Sequence, residues 1–199
     1  ALLEIYQVTG EKIWLEKALT QTEKMINNFW DESQNSFFDT SKFSNTLILR
    51  PSVLQDNVVP SGSSVAWRIL IKLFSITNDK KYKLIVDKFI STASNQITHF
   101  PTSHAYWLSS LNMYYSTPLH LCIIGDPKDE KTQEFLKIGN QSYKPNRIIN
   151  TASNDTEGKN LDITNEKIML NNRPTAYVCE NFSCKKPTNL SEELNVQLS

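Results

Sequence analysis

The sequence predicts a mainly α-helical chain of stacked helical hairpins that ends in a small α/β unit. Apolar residues recur at helical spacing through most of residues 1–117. The segment IYQVTGEKIW, which starts at Ile5, returns 68 positions later as LFSITNDKKY, which starts at Leu73. After Pro118 the pattern changes to short apolar runs typical of strands. A repeat of helix pairs is typical of an open solenoid or of a closed α/α toroid.

Each copy of the repeat predicts one helix that ends and a second that follows at once. The first copy turns at Gly10, which suits the left-handed position after a helix. Its second helix carries an apolar stripe formed by Leu15, Ala18, Leu19, Thr22, Met25, Ile26 and Phe29. In the second copy the stripe is formed by Tyr82, Ile85, Val86, Phe89, Ile90, Ala93 and Ile97. A further helix starts at Pro101 and Thr102, and its inward stripe is expected to contain Ala105, Leu108, Leu111, Asn112 and Tyr115.

A connection of about 30 residues joins Trp30 to Pro60, whereas packed helices are usually joined by ~2–8 residues. We expect short strands at residues 36–40 and 46–50. The connection leads to small polar residues from Ser61 onward, at the start of a helix with a buried body. In a toroid such a loop borders one end of the central cavity. The predicted rim residues are Trp30, Asp31, Phe37, Phe38, Asp39, Arg50, Asp56 and Ser61.

The C-terminal part, residues 118–199, is predicted to form a separate unit from the hairpins of residues 1–117. Strands are expected at residues 119–126, 146–152 and 175–179, with a helix at 131–143. The strand, helix, strand order favours parallel pairing. Residues 153–167 are polar and predict a surface loop. Asn189 and Glu192 predict a capping pair for a last helix that ends near Leu198.

Composition and charge exclude several classes of function. The chain has 21 basic and 21 acidic residues, so no net charge attracts nucleic acid or an anionic membrane. No apolar run approaches the ~20 residues that cross a bilayer. Three cysteines are too few for a disulfide scaffold and favour a reducing, cytoplasmic compartment. Because the chain starts without an initiator Met and as though inside a helix, we expect it to be part of a longer protein.

Three aspartates in the long connection are candidate catalytic groups. Asp31, Asp39 and Asp56 offer the pair of carboxylates that glycoside cleavage requires, one as acid and one as nucleophile or base. The structural alternative is that each one caps a turn or a helix start, as Asp commonly does. We favour this alternative, because spacing in sequence does not establish the separation that the reaction needs.

Other side chains near the predicted rim have both a functional and a structural interpretation. His104, near the start of the helix after Pro101, suits proton transfer next to a carbonyl, as an epimerase requires, but a structural role is favoured for it and for His99. A sugar ring could stack on Trp30, Phe37, Phe38 or Trp67, although packing explains Phe37 and Phe38 equally well. Arg50 suits a carboxylate or phosphate ligand, or else an ion pair with a loop aspartate.

Cysteine spacing and glycine motifs predict neither a metal site nor a cofactor. Cys179 and Cys184 have four residues between them, whereas thioredoxin-type exchange uses two, and zinc requires a second ligand pair. Cys122 is expected to pack in its strand. Gly125 is followed by Asp126 and Pro127 and by no phosphate-binding motif, which predicts a turn.

Five segments carry a family resemblance: FWDESQNSFFDT, LILRP, DNVVPSGSSVAW, YKPNRI and PTAYVCENFSCKKPT. From residue 1 to about residue 194 the chain resembles the C-terminal part of the spermatogenesis-associated, thioredoxin-domain-containing proteins. The resemblance implies a thioredoxin-like domain and an α/α barrel similar to N-acylglucosamine 2-epimerases and six-hairpin glycosidases. This chain would then hold only the last hairpins, as a partial (α/α) toroid. Family members usually read PSGNSVA, so Ser63 stands here in place of an amide.

Two functions follow as expectations. In the first, the toroid binds a carbohydrate or related polar ligand in an epimerase-like or glycosidase-like cavity, with Ser61 and Ser63 among the ligand-binding residues. In the second, it is a non-catalytic scaffold or partner-binding module attached to a thioredoxin-like domain. Carboxylates that converge on a cavity would favour the first, and carboxylates used as caps the second. Because an incomplete toroid exposes apolar faces, the isolated chain is expected to dimerise or to associate with the rest of its barrel.

Overall fold

The computed structural model describes residues 1–44, 49–141, 143–153, 162–180 and 183–199. These form two compact units. The first contains Ala1–Ala18, Ser75–Asn78 and Ser116–Ser199, and the second contains Leu19–Phe74 and Asp79–Tyr115. The described residues hold seven α-helices and a small sheet, which fits the predicted mainly α class. The toroid and the predicted division at residues 117 and 118 stay predictions.

The repeated hairpins are confirmed. The first consists of α1 (Leu2–Thr9) and α2 (Lys12–Phe29), and the second of α3 (Gly62–Thr77) and α4 (Lys80–His99). Gly10 and Asn78, which are equivalent in the repeat, both adopt left-handed conformations, with φ of 74° and 56°. Such a residue ends one helix and turns the chain into the next. The apolar stripes predicted for α2 and α4 are buried or partly buried.

The long connection contains a short antiparallel pair, β1 (Trp30–Asp31) and β2 (Ser36–Phe37). This pair confirms the start of the strand predicted at residues 36–40. The strand predicted at residues 46–50 falls largely outside the described residues. No helix in the described part of the chain has both the length and the apolar character to cross a membrane.

The last helix of the second unit is α5 (Ala105–Tyr115), and its predicted inward stripe is wrong. Trp107, Ser110 and Met113 are buried, whereas Leu108 and Tyr115 are exposed. Trp107 takes the inner position because its indole N–H donates to the Leu54 carbonyl at 2.8 Å. This contact joins residues far apart in sequence, so helical periodicity alone does not reveal it.

The first unit contains the predicted parallel strand, helix, strand arrangement. Here β3 (Leu119–Ile124), α6 (Glu130–Gln141) and β4 (Arg147–Ala152) follow one another, and β3 pairs in parallel with β4. Two further strands, β5 (Thr175–Glu180) and β6 (Ser183–Cys184), complete a four-stranded sheet in the order β4-β3-β5-β6. The polar loop predicted at residues 153–167 falls mostly outside the described residues.

One face of this sheet packs against α6 and against the last helix, α7 (Ser191–Leu198). The core between them consists mainly of Leu121, Ile123, Phe135, Leu136, Ile149, Val178, Leu194 and Leu198. Gly139 permits close approach of α6, because a Cβ there would lie 2.6 Å from Leu121 Cδ2. The helix can therefore lie directly on the strand.

The predicted cap of α7 is wrong. The Asn189 amide donates to the Pro174 carbonyl at 2.7 Å and to Thr175 Oγ1 at 2.8 Å, so it holds the neighbouring chain instead. Thr188 Oγ1 accepts from the Leu190 N–H and donates to Glu193 Oε2 at 2.6 Å. The pair at the start of α7 is therefore Thr188 and Glu193, and each lies one residue away from its predicted counterpart, Asn189 or Glu192.

The free edge of β4 is covered by side chains of α1. Gln7 Oε1 accepts from the Ile149 N–H at 3.1 Å, and Tyr6 Oη accepts from the Thr151 N–H at 3.2 Å. Both side chains are buried. An exposed strand edge is a template for pairing with other chains. Here the side chains of Gln7 and Tyr6 accept hydrogen bonds from two backbone N–H groups of β4 that would otherwise be open to another strand.

Replacing Gln7 by Ala is expected to lower the free energy of unfolding by about 1–3 kcal/mol, because the buried Ile149 N–H loses its acceptor. Urea unfolding measures this change. The control is Val8→Ala, on the next residue of α1, whose side chain is 55% exposed. Its expected effect is within ~0.5 kcal/mol. Equal effects of the two substitutions would show that Gln7 does not protect the edge.

Candidate functional site

All of the predicted site residues lie in the second unit, on the long connection and at the starts of α3 and α5. The centre of this region is Asp56. We call Asp56 and its four partners, Ser61, Ser64, Ser103 and Tyr106, the Asp56 junction. The junction is built from side chains and from backbone groups that the ends of helices leave unpaired.

Both carboxylate oxygens of Asp56 accept hydrogen bonds from the starts of helices. Oδ1 accepts from the Ser61 N–H at 2.9 Å and from Ser64 Oγ at 2.7 Å, at the start of α3. Oδ2 accepts from the Tyr106 N–H at 2.8 Å, at the start of α5. The Asp56 N–H in turn donates to the Ser103 carbonyl at 2.8 Å. One carboxylate thus joins the long connection to two helices.

Burial acts to raise the pKa of Asp56, but the hydrogen bonds from Ser61, Ser64 and Tyr106 outweigh it and hold the pKa below its ordinary value. The carboxylate is therefore ionised at neutral pH, next to the positive end of the α3 dipole. A general acid for glycoside cleavage requires the opposite, a raised pKa. The environment of Asp56 suits helix capping and does not suit that acid role.

The other two aspartates also accept from backbone N–H groups. Asp31 Oδ1 accepts from Ser33 N–H at 2.9 Å and from Gln34 N–H at 3.2 Å, in the turn that joins β1 to β2. The Ser33 hydroxyl, which also donates to it, contributes most to lowering the pKa of Asp31. Asp39 Oδ2 accepts from the Val53 N–H at 3.2 Å and ties two parts of the connection together.

The predicted stacking residues form part of a buried aromatic cluster. The Trp30 ring lies 5.0 Å from Phe37, measured between centroids, and Phe37 lies 5.4 Å from Phe89. Trp67 and Trp107 are fully buried, with centroids 5.3 Å apart. These rings contact one another in tilted or edge-to-face arrangements, at distances typical of favourable aromatic pairs. In this structure they act as core.

Arg50 and Phe38 contact each other at the edge of the connection. The guanidinium carbon of Arg50 lies 4.2 Å from the centre of the Phe38 ring, which is a cation–π distance. Arg50 also donates to the Thr40 carbonyl at 2.9 Å. Its Nε is buried and has no hydrogen-bond partner among the described residues.

Ser61, Ser63 and His104 differ in how their polar atoms are used. Ser61 caps α3, since its Oγ accepts from the Ser64 N–H at 3.1 Å. His104 is fully buried, and its Nδ1 lies 2.7 Å from the Phe100 carbonyl. Because a carbonyl only accepts, Nδ1 is the donor in this contact. In the described chain neither His104 Nε2 nor the buried Ser63 Oγ has a partner.

The chain is similar to spermatogenesis-associated protein 20. It is 26% identical to the mouse and human proteins over 190 residues, an alignment that covers 94% of this chain and 24% of each relative. An uncharacterized protein of Caenorhabditis elegans is 23% identical over 194 residues, which covers 98% of this chain and 26% of that protein. No family model matches the chain.

The chain thus spans about a quarter of the length of spermatogenesis-associated protein 20 and of the nematode relative. The alignment includes nearly all of the chain, and so supports the resemblance found in the sequence. The identity is low, and the names of these relatives state no reaction, ligand or cofactor.

A polar cluster on α4 and α5 was not predicted. Lys83 Nζ lies 2.6 Å from Asp87 Oδ1, and Tyr114 Oη donates to the same oxygen at 2.6 Å. Burial raises the pKa of Tyr114, and the hydrogen bond to Asp87 adds to this effect. The spacing of Lys83 and Asp87, four residues apart on a helix, was a signal for the ion pair. Nothing in the sequence pointed to Tyr114.

A disulfide was also not predicted. Cys179 and Cys184 are bonded, and they lie directly opposite each other on β5 and β6. Cys122 is free and buried, as expected, and burial raises the pKa of its thiol to about 12. Among the described residues, no group of three or more His, Cys, Asp or Glu side chains is placed to hold a metal ion.

Proposed function

We propose that this chain is a non-catalytic scaffold or partner-binding module. We also propose that it belongs to the family of spermatogenesis-associated protein 20 and that its hairpins form part of an α/α toroid. The observation that carries the functional proposal is the Asp56 junction. The most buried of the three candidate carboxylates is committed to joining two helices to the long connection.

Asp31 and Asp39 support the same proposal, because each accepts from a backbone N–H that a turn or loop leaves unpaired. Removing either carboxylate would leave such a donor without its acceptor. A catalytic carboxylate must keep an oxygen free for substrate or for a water molecule, and of the three it is Asp56 that accepts hydrogen bonds on both oxygens. The three side chains therefore match the pattern that favours a scaffold.

The connection also presents apolar side chains to solvent. Val53, Val58 and Val59 are 50%, 97% and 68% exposed, on the segment that Asp56 anchors. Exposed apolar residues that lie together are typical of interaction surfaces. They are consistent with a partner-binding role. Association of the isolated chain with itself or with the rest of a barrel stays a prediction.

A second candidate function is the binding of a carbohydrate or related polar ligand in an epimerase-like or glycosidase-like cavity. One observation favours it. Four of the predicted site residues carry a buried polar atom with no partner among the described residues: Trp30 Nε1, Arg50 Nε, Ser63 Oγ and His104 Nε2. Such atoms are costly when unpaired, and a ligand is one way to satisfy them.

A thermal-shift screen against neutral, N-acetylated and acidic sugars separates the two functions. The scaffold proposal predicts no change in melting temperature at millimolar sugar. A ligand at 100 times its Kd would stabilise the fold by about 2.7 kcal/mol, which gives a clear shift. A shift with one sugar class that is lost in Arg50→Gln, but kept in the exposed-site control Lys42→Gln, would favour the second candidate and contradict the first.

A further inference from the structure

The hairpin of β5 and β6 presents the Cys179–Cys184 disulfide at the edge of the sheet. Its two cysteines differ in their exposure to solvent. Cys179 is 6% exposed and lies on the inner strand, whereas Cys184 is exposed on a strand of two residues. Cys184 is therefore the residue of the pair that is open to an external thiol.

This disulfide adds little to what already holds the hairpin. The two cysteines are five residues apart, and the stabilisation from a cross-link grows with the length of the loop that it closes. Other contacts keep the returning chain in place. Ala176 and Thr188 exchange backbone hydrogen bonds of 2.8 and 3.0 Å, and the Lys185 N–H donates to the Val178 carbonyl at 2.8 Å. The sheet is expected to keep its fold when the disulfide is reduced.

The two residues that follow Cys184 are basic, and the ammonium group of the first, Lys185, donates to the Gln197 carbonyl at 2.7 Å. Lys185 and Lys186 follow Cys184 directly and are exposed, against the single negative charge of Glu180 on the same hairpin. Neighbouring positive charges stabilise a thiolate and raise the local concentration of anionic reagents. The hairpin therefore favours an external thiol that carries negative charge.

We propose that Cys179–Cys184 is a thiol–disulfide exchange site for an anionic external thiol. The external thiolate forms a bond to Cys184 Sγ, the Cys179–Cys184 bond breaks, and its electron pair leaves on Cys179 Sγ, which takes a proton from water. A second external thiolate then attacks the external sulfur of the mixed disulfide and releases Cys184, which is protonated in turn. Two external thiols are oxidised to one disulfide, and the protein disulfide is reduced to two thiols.

The test uses reduced glutathione, an anionic thiol, on the folded chain, followed by alkylation and mass spectrometry. The expected result is alkylation of the exposed Cys184 after reduction, with the buried Cys122 unlabelled as an internal control for the native fold. Unfolding of the reduced protein should remain cooperative. The proposal is overturned if the disulfide is reduced only in denaturant, or if reduction abolishes cooperative unfolding.

A charge variant tests the choice of thiol. Lys186→Gln is expected to slow reduction by glutathione about twofold and to leave reduction by the neutral dithiol dithiothreitol unchanged. The matched control, Lys144→Gln, removes a lysine outside the hairpin and should change neither rate. Equal rates with glutathione for the wild type and for Lys186→Gln would contradict the preference for an anionic thiol.

Discussion

Replacing Trp67 by Ala is expected to lower the free energy of unfolding by about 3–5 kcal/mol. The side chain is fully buried, its ring lies 5.3 Å from Trp107 and 5.5 Å from Tyr114, and its indole N–H donates to the Val86 carbonyl at 3.0 Å. Truncation would leave a large cavity and remove one hydrogen bond to the Val86 carbonyl, which lies within α4. Urea unfolding followed by circular dichroism measures the loss.

Trp67→Phe is the matched variant, because it keeps most of the packing and removes the N–H donor. Its expected cost is smaller, about 0.5–1.5 kcal/mol, set by the lost hydrogen bond to the Val86 carbonyl. Trp67 was one of the predicted ligand-binding residues. A ligand-binding side chain often costs stability, so its removal often leaves stability unchanged or raises it. An unchanged or higher free energy of unfolding in Trp67→Ala would contradict the assignment of Trp67 to the core.

Acidification from pH 7 to pH 5 is expected to lower the free energy of unfolding by about 2 kcal/mol through His120, and by about 3 kcal/mol at pH 4. Burial, with a smaller contribution from the positive charge of Lys167, lowers the pKa of His120 to about 4, against an ordinary value of 6.5. The unfolded chain therefore binds the proton first. Stability is fully present above pH 6.5 and is lost as the pH falls towards 4.

Urea unfolding at pH 7 and pH 5 measures this loss while most carboxylates are still ionised. His120→Phe keeps an aromatic ring and should remove most of the dependence on pH. The control is His99→Phe, because His99 is exposed and its substitution should leave the dependence unchanged. If His120→Phe loses as much stability as the wild type between these pH values, the protonation responsible is not that of His120.

The helical hairpins could be predicted because their signals are local. Gly10 and Asn78 take the left-handed positions that the repeat requires, and the stripes of α2 and α4 follow from spacing alone. The alternation of β3, α6 and β4 is also visible in short apolar runs. None of these features depends on which distant residue a side chain meets.

The errors share a different cause, namely partners that are far away in sequence. The buried face of α5 is set by the contact of Trp107 with Leu54, and Asn189 is drawn to Pro174 instead of capping α7. The disulfide depends on the register of β5 with β6, which places Cys179 opposite Cys184. Cysteine spacing shows no register, so this bond could not be read from the sequence.

In the candidate site, too, local features could be predicted and contacts between distant residues could not. From the sequence, the long connection and its aspartates could be predicted as a candidate site, with capping of turns or helices as the alternative to catalysis. The sequence could not show that the carboxylate of Asp56 reaches the Tyr106 N–H, 50 residues further along the chain. That contact and the hydrogen bonds from Ser61 and Ser64 lower the pKa of Asp56, and these favour capping over catalysis.

The measurement that tests the scaffold account most directly is the unfolding free energy of Asp56→Asn. The substitution keeps the shape of the side chain and removes its charge and one acceptor oxygen, so the account predicts a loss of about 2 kcal/mol in urea. Glu32→Gln, an exposed acid in the same connection, is the control and should change stability by less than ~0.5 kcal/mol. An Asp56→Asn protein as stable as the wild type, or more stable, would contradict the account and return Asp56 to the candidate catalytic residues.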